Sequence, residues 1–537
     1  MSRRAAALVA VLLAVAAPHA QQSERARALD AQIDRIFATR EYDAPRFGPA
    51  RWLPDGAAYT IVERSADHGV PEIVRYDART GTRTVLVPGS SFDPKGTTAP
   101  SDVADYSWSA DGRRLLLFTN TRKVWRQNTR GDYWVFDVAA RTMRQLRAPA
   151  ASMMFAKFSP DGSRVAYVQQ NNIYVQSVDD GRTVQLTADG SVTTINGTSD
   201  WVYEEELNVR DGFRWSPDGT KIAFWQFDTT GVGDFMLIDD TDSLYPTITH
   251  IPYPKAGTKN SAVRVGVVSA DEDHHVEWMK TPGDPRDDYL ARLEWLDAQT
   301  VAIEQLNRLQ NRNDLLLADA RSGDTRRIFR DEAKTWVEVM DDLHWIDGGR
   351  ACIWLSERDG WQHAYRVPRD GGHATLLTRF DADVIDIAGI DEAGGWLYFI
   401  ASPERATDRY LYRSKLDGTG VPQRATPAAA RGTHGYDVAP RARLAFHTAS
   451  RFDRPPSIEV VDLPDHRALR PLTDTAPLVS KLEPIVNPPV DFLTLDIGGG
   501  VVLDAWMLKP KGFDASRKYP LVVYVYGEPA GVTVTDQ

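Results

Sequence analysis

The chain has 537 residues, more than one hydrophobic core normally serves, so it reads as several domains or as a repeat array. Its net charge of −11 argues against a nucleic-acid binder or a ligand of anionic membranes. A single cysteine, Cys352, rules out an internal disulfide and a cysteine-rich metal site.

The first residues, "MSRRAAALVAVLLAVAAPHAQQ", place Arg3 and Arg4 before an apolar run from Ala5 to Ala17 that is short for a bilayer span. Residues 1–20 therefore read as a signal peptide, with a mature chain beginning near Gln21 in the periplasm or outside the cell. No later segment has transmembrane length. Residues 21–45 hold an amphipathic helix, Ser23 to about Thr39, with Leu29, Ile33, Ile36 and Phe37 at helical spacing.

From residue 46 the period changes. "WLPDGAAYTIVE" (Trp52), "WSADGRRLLLFT" (Trp108), "FSPDGSRVAYVQ" (Phe158) and "WSPDGTKIAFWQF" (Trp215) are variants of one unit. Looser copies begin at Trp295, Trp345, Ile390 and Val438. Each joins two strands through a turn in which Pro presets φ, Asp bonds its own backbone and Gly takes positive φ. Many units carry a second turn, such as "YDARTGTRTVL", so each has two hairpins. Four-stranded units repeating every ~45–55 residues predict a β-propeller, here with eight blades over residues 46–480. The long spacing between the fourth and fifth units predicts a projecting arm at about 228–292.

Beyond Leu478, "KLEPIVNPPV" reads as a linker. "DFLTLDIGGGVVLDAWMLKP" reads as two strands joined at Gly498–Gly500, and Leu521–Tyr526 as a strand buried on both faces of an α/β sheet. The fold class is thus all-β, an eight-bladed β-propeller, followed at 481–537 by the truncated beginning of an α/β-hydrolase domain.

Cys352, in an apolar strand, reads as a small core residue rather than a nucleophile. "DEDHHVEW" (Asp271–Trp278) has metal-ligand residue types but no known ligand spacing, and reads as an exposed hairpin turn. No metal and no cofactor is expected. The chain contains no G-x-S-x-G elbow, P-loop, H-E-x-x-H or dinucleotide fingerprint.

One acidic run stands apart. In "SDWVYEEELNVRDGFRWSPDG" (Ser199–Gly219), Glu204, Glu205 and Glu206 follow an aromatic segment and precede a blade strand. A glutamate triplet by itself is an ordinary solvated face. At an insertion facing the funnel of a propeller, however, crowded carboxylates would be relieved by a cation, and a peptide's terminal ammonium is one candidate.

"DWVYEEE", together with "IPYPKAG" (Ile251–Gly257), "SERDGW" (Ser356–Trp361) and "KYPLVVYVYGEPAG" (Lys518–Gly531), resembles the dipeptidyl peptidase IV branch of the prolyl oligopeptidase family. The resemblance extends over essentially the whole mature chain. It implies an exported serine peptidase that releases X-Pro or X-Ala dipeptides from peptides with free N-termini. It implies that Glu205 and Glu206 bind the substrate ammonium and measure the distance to the scissile bond, while Glu204 is structural. It implies that Arg126, in "RKVWRQNTRGDYWVF", holds a substrate carbonyl; a surface arginine on a blade strand is the plainer reading of the same residue. It implies that Tyr526 contributes its hydroxyl to an oxyanion hole, with Tyr524 an ordinary core tyrosine, and that the arm takes part in a homodimer.

In that family the Ser, Asp and His of the triad follow the tyrosine, so these 537 residues are expected to be inactive alone. The competing expectation is a non-enzymatic periplasmic propeller that binds peptides or protein partners.

Overall fold

In a computed structural model, the residues described are 24–65, 69–92, 103–271, 274–341, 343–483, 490–526 and 531–537. The expected signal peptide, Ser23, part of the "DEDHH" turn, part of the linker and Gly527–Ala530 lie outside them.

Antiparallel sheets follow one another along the chain, at 50–87, 105–185, 194–278, 288–332, 344–376, 384–424 and 433–471. Most are four-stranded meanders, each strand pairing with the next in sequence. The sheet at 105–185 has eight strands in two halves, 105–145 and 153–185, joined where Arg130 and Gly131 pair with Met154 and Met153. A side chain at Gly131 would put its Cβ 2.6 Å from the Thr119 carbonyl oxygen, so only glycine fits that junction. The sheet at 194–278 has five strands and sends out the two-stranded arm, Asp234–Asp239 with Thr247–Pro252.

The turn motifs fall where the sequence places them. The strands Ala50–Trp52, Asp105–Trp108, Met153–Phe158 and Phe213–Trp215 each end on the motif aromatic and pair with the strand after the turn. In the tighter turns the serine and aspartate of the motif bond each other, as Ser159 Oγ donating to Asp161 at 2.5 Å and Ser216 Oγ donating to Asp218 at 2.6 Å.

The core lies in apolar clusters between successive sheets and between the two halves of the eight-stranded sheet. Leu115 and Phe136 meet Ile73 and Val87, and Val165 and Tyr167 meet Leu116 and Val135. Phe213 and Phe224 meet Ala166 and Val168, and Leu290 and Ile303 meet Trp225 and Phe227. The series continues through Cys352 and Trp354, then Leu397 and Phe399, then Ala445 and Val461. Its last member packs Leu444, Phe446 and Val460 of the final sheet against Tyr59 and Ile61 of the first. The fold is therefore propeller-like, its core distributed over the seams between sheets. Cys352 is buried in one of these seams, as a core residue.

Outside the sheets, helix α1 (Glu24–Phe37) forms as expected, but Leu29, Ile33, Ile36 and Phe37 are exposed. Helix α2 is Trp201–Glu205, and helix α3, Ala476–Leu482, covers the start of the expected linker. The glycine hairpin is present: Asp491–Gly498 pairs with Val501–Met507 across Gly498, Gly499 and Gly500, all at positive φ. The apolar run Leu521–Tyr526 departs from expectation. It forms no strand and its side chains, Tyr524 included, are exposed. A buried central strand is hydrogen-bonded within a sheet on both sides, and this segment belongs to none of the sheets among the described residues. Among the described residues no helix is long and apolar enough to cross a membrane.

Candidate functional site

The site begins with a helix cap. Asp200 is extended, and its Oδ1 accepts from the backbone N–H of Tyr203 at 3.0 Å, which starts α2. Its other carboxylate oxygen accepts from Ser261 Oγ at 2.6 Å, and burial pushes the Asp200 carboxyl up.

The helix is then pinned to the neighbouring sheet. Tyr203 is buried, its hydroxyl accepts from the Leu290 N–H at 2.8 Å, and Arg292 donates to the Leu207 carbonyl at 2.6 Å. Tyr203, Leu207 and Val209 belong to the apolar cluster under the helix. The side chains on the other face are thereby held in place.

The three glutamates have different surroundings. Glu204 is buried and faces Arg210 at 3.5 Å; burial pushes its carboxyl up, with the Arg210 charge opposing. A structural role suits it. Glu205 receives Arg126, with Nε 3.0 Å from Oε1. Arg126 lies at the turn between strands Arg114–Val124 and Gln127–Asp137, so two sheets meet in this contact. The Glu205 side chain is 15% exposed and that of Arg126 is 71% exposed, leaving the guanidinium displaceable. Glu206, exposed at the end of α2, lines a pocket of about 380 Å³ with Trp201, Tyr253, Lys255 and Tyr289.

The structure thus brings Arg126 and Glu205 into contact and sets Glu206 beside them on the same helix end. A pair of carboxylates with one guanidinium at their edge can hold an ammonium on one side and a carbonyl oxygen on the other. Tyr526 lies at the end of the exposed 521–526 segment and is itself 57% exposed, so it is not a strand residue of a buried sheet here.

"SERDGW" forms a turn on the wall of a second pocket, of about 530 Å³. Arg358 stacks over Phe329 at 4.3 Å and reaches Asp331 at 3.3 Å. Burial and the neighbouring carboxylates push Glu357 up. Among the described residues no group of three or more metal-ligating side chains occurs.

Sequence reasoning did not find the rings around the site. Trp125 packs edge-on against Trp201 at 5.4 Å, and Trp201 lies 5.8 Å from Tyr253. Trp201 and Tyr253 sit inside the quoted "DWVYEEE" and "IPYPKAG" motifs, but nothing in either string says that they touch.

The sequence model of the dipeptidyl peptidase IV N-terminal region matches residues 109–456. The chain belongs to this family. Among curated relatives, a protein of Coccidioides posadasii named "Probable dipeptidyl-aminopeptidase B" is 27% identical over 534 residues, covering 92% of this chain and 57% of the relative. Dipeptidyl peptidase 4 of Trichophyton rubrum is 25% identical, covering 92% of this chain and 64% of the relative. The crystal structure of Porphyromonas gingivalis dipeptidyl peptidase 4 superposes with a TM-score of 0.83 at 28% identity, covering 90% of this chain and 68% of that one. The chain spans 57% of the length of the Coccidioides relative. As a member of the dipeptidyl peptidase IV family, it carries the Arg126–Glu205 contact within the part that the family model matches.

Proposed function

We propose that this chain is the substrate-anchoring part of an exported serine-type dipeptidyl peptidase that removes X-Pro or X-Ala dipeptides from free peptide N-termini. Glu205 and Glu206 take the terminal ammonium, and Arg126 takes a backbone carbonyl of the first residues. The observation that carries this reading is the Arg126–Glu205 contact at 3.0 Å, on a helix whose other face is capped and pinned. Glu205 already accepts a cation in this geometry, so a substrate ammonium competes for a formed acceptor. The names of the relatives supply the reaction class.

The architecture we assign is an eight-bladed propeller, obtained by counting the two halves of the eight-stranded sheet separately, followed by the opening strands of a hydrolase domain. The seam series that runs from the first sheet back to itself supports the ring. The part of the reaction that we assign to these residues is the anchoring of the substrate N-terminus. Tyr526 is assigned to the oxyanion hole through the family motif. The arm, with Met236, Leu237, Ile238 and Ile248 exposed, suits a homodimer contact.

The test is chromophore release from a Gly-Pro substrate by a form extended to the length of the relatives. Glu205→Gln or Glu206→Gln should lower kcat/KM by the equivalent of ~2 kcal/mol or more. A change smaller than about threefold counts against the anchor.

A further inference from the structure

The rings beside the site form a continuous series that leads out of it. Trp125 immediately precedes Arg126, and Trp201 is the first residue of the helix that carries Glu205. Their rings meet edge-on, with centroids 5.4 Å apart at 64°. Trp201 then meets Tyr253 at 5.8 Å, and Tyr253 meets Phe235 at 5.6 Å. Phe235 lies on the arm strand Asp234–Asp239, and its ring faces the Lys255 ammonium at 6.0 Å.

A second observation marks the inner end of the series. Trp125 has φ +51°, the left-handed backbone that the first position of the two-residue turn between Val124 and Gln127 requires. The edge-on contact with Trp201 is the packing that accompanies this backbone, and the backbone in turn aims Arg126 at Glu205. The two halves of the anchor come from different sheets. Their separation therefore depends on what fills the gap between Trp125 and Trp201, and on what backs Trp201 from the far side.

We propose that the arm sets the geometry of the anchor through this series, with Phe235, Tyr253, Trp201 and Trp125 as positioning residues for Arg126 and Glu205. The inference rests on the reading of Arg126, Glu205 and Glu206 as the holder of the substrate N-terminus. None of the four rings is assigned a bond to substrate. Removing Tyr253 leaves Trp201 unsupported on the arm side, so Trp201 and Trp125 lose their fixed relation and the arginine loses its aim. A misplacement of this kind acts on affinity even though every charged group is still present.

Two readouts on the 537-residue chain test it: binding of a tripeptide with a free N-terminus and proline second, and the far-ultraviolet exciton couplet of the Trp125–Trp201 pair. Tyr253→Ala and Phe235→Ala should each weaken the tripeptide about tenfold and diminish the couplet, while Tyr253→Phe keeps both. Phe235 is on the arm surface, so its variant tests the series even if Tyr253→Ala fails to fold.

Glu205→Gln serves as the control and should weaken the tripeptide with the couplet intact. If it does so while the Tyr253 and Phe235 variants bind within about twofold of the parent, the positioning role is overturned and the anchor stands. If Glu205→Gln has no effect, or the parent binds no tripeptide, the anchor reading falls. An unchanged couplet in Tyr253→Ala then overturns the series on its own.

Discussion

Arg126 and Glu205 face each other at 3.0 Å across the gap between two sheets, with the arginine largely in solvent and the glutamate largely out of it. An ion pair with one exposed partner contributes ~0.2–1 kcal/mol to folding, too little to account for the buried cap and pinned helix behind Glu205. On the function proposed above, the pair is a ligand contact rather than a structural brace.

Arg126→Met should accordingly change unfolding stability by less than about 1 kcal/mol in urea titrations. The same variant should weaken binding of a peptide with a free N-terminus, with the difference shrinking as salt is raised. A large loss of stability with intact peptide binding would identify the pair as a brace.

Glu204 and Arg210 behave differently because the glutamate is buried. Arg210→Met leaves a carboxylate without its counter-charge and should cost about 3 kcal/mol, near the lower end for breaking a buried pair because Arg210 is partly exposed. Adding Glu204→Gln to that variant should recover at least about half of the loss. Denaturant midpoints of the two single variants and the double variant decide it.

Most of the repeat was legible because its turns are chemically explicit: Ser, Pro, Asp and Gly in "FSPDG" or "WSPDG" specify a strand, a turn and a strand wherever they occur. Cys352 was legible for the same reason, lying in an apolar strand after such a turn. Arg126 was only half legible, since nothing local says that the turn of one sheet will meet an insertion in the next. Leu521–Tyr526 misled because an apolar run gives a strand's composition without its partners, and pairing is a property of the neighbours. The ring series from Trp125 to Phe235 was invisible for a related reason. It crosses three separate segments, and no periodicity links them.

Two buried groups give stability opposite dependences on pH. Burial raises Glu304 from 4.5 to about 7, opposed by hydrogen bonds from Asn313 and the Met340 N–H and by the Arg292 charge. Between these values the folded state holds a proton that the unfolded chain has released, so this contribution is lost as pH rises, about 3 kcal/mol in all. Burial, with His447 and His466 nearby, lowers His434 from 6.5 to about 4. Here the unfolded chain takes the proton first, so stability is lost as pH falls through that range, by a similar ~3 kcal/mol. Glu304→Gln should therefore gain stability relative to the parent at pH 8 compared with pH 5, and His434→Asn should flatten the acid limb. Urea midpoints across pH measure both.

Cys352 is buried, and burial together with the charge of Glu304 pushes its thiol up to about 12. It should resist a thiol reagent in the native state and react fully once the chain is denatured. Prompt labelling of the native protein would show that this seam opens readily.

The packing of Phe446 and Val460 against Tyr59 and Ile61 has a mechanical consequence. The first and last sheets are each built from their own strands, so among the described residues no shared backbone ladder zips the ring shut. Side chains do that work: Trp52 stacks on Phe446 at 4.2 Å, and Arg470 donates to the Tyr59 hydroxyl at 2.9 Å. The molecule resembles a split washer whose gap is held by friction, and on a ribosome that gap can close only after the final sheet has emerged. Under load or mild denaturant it should part at this joint first, with each sheet still intact.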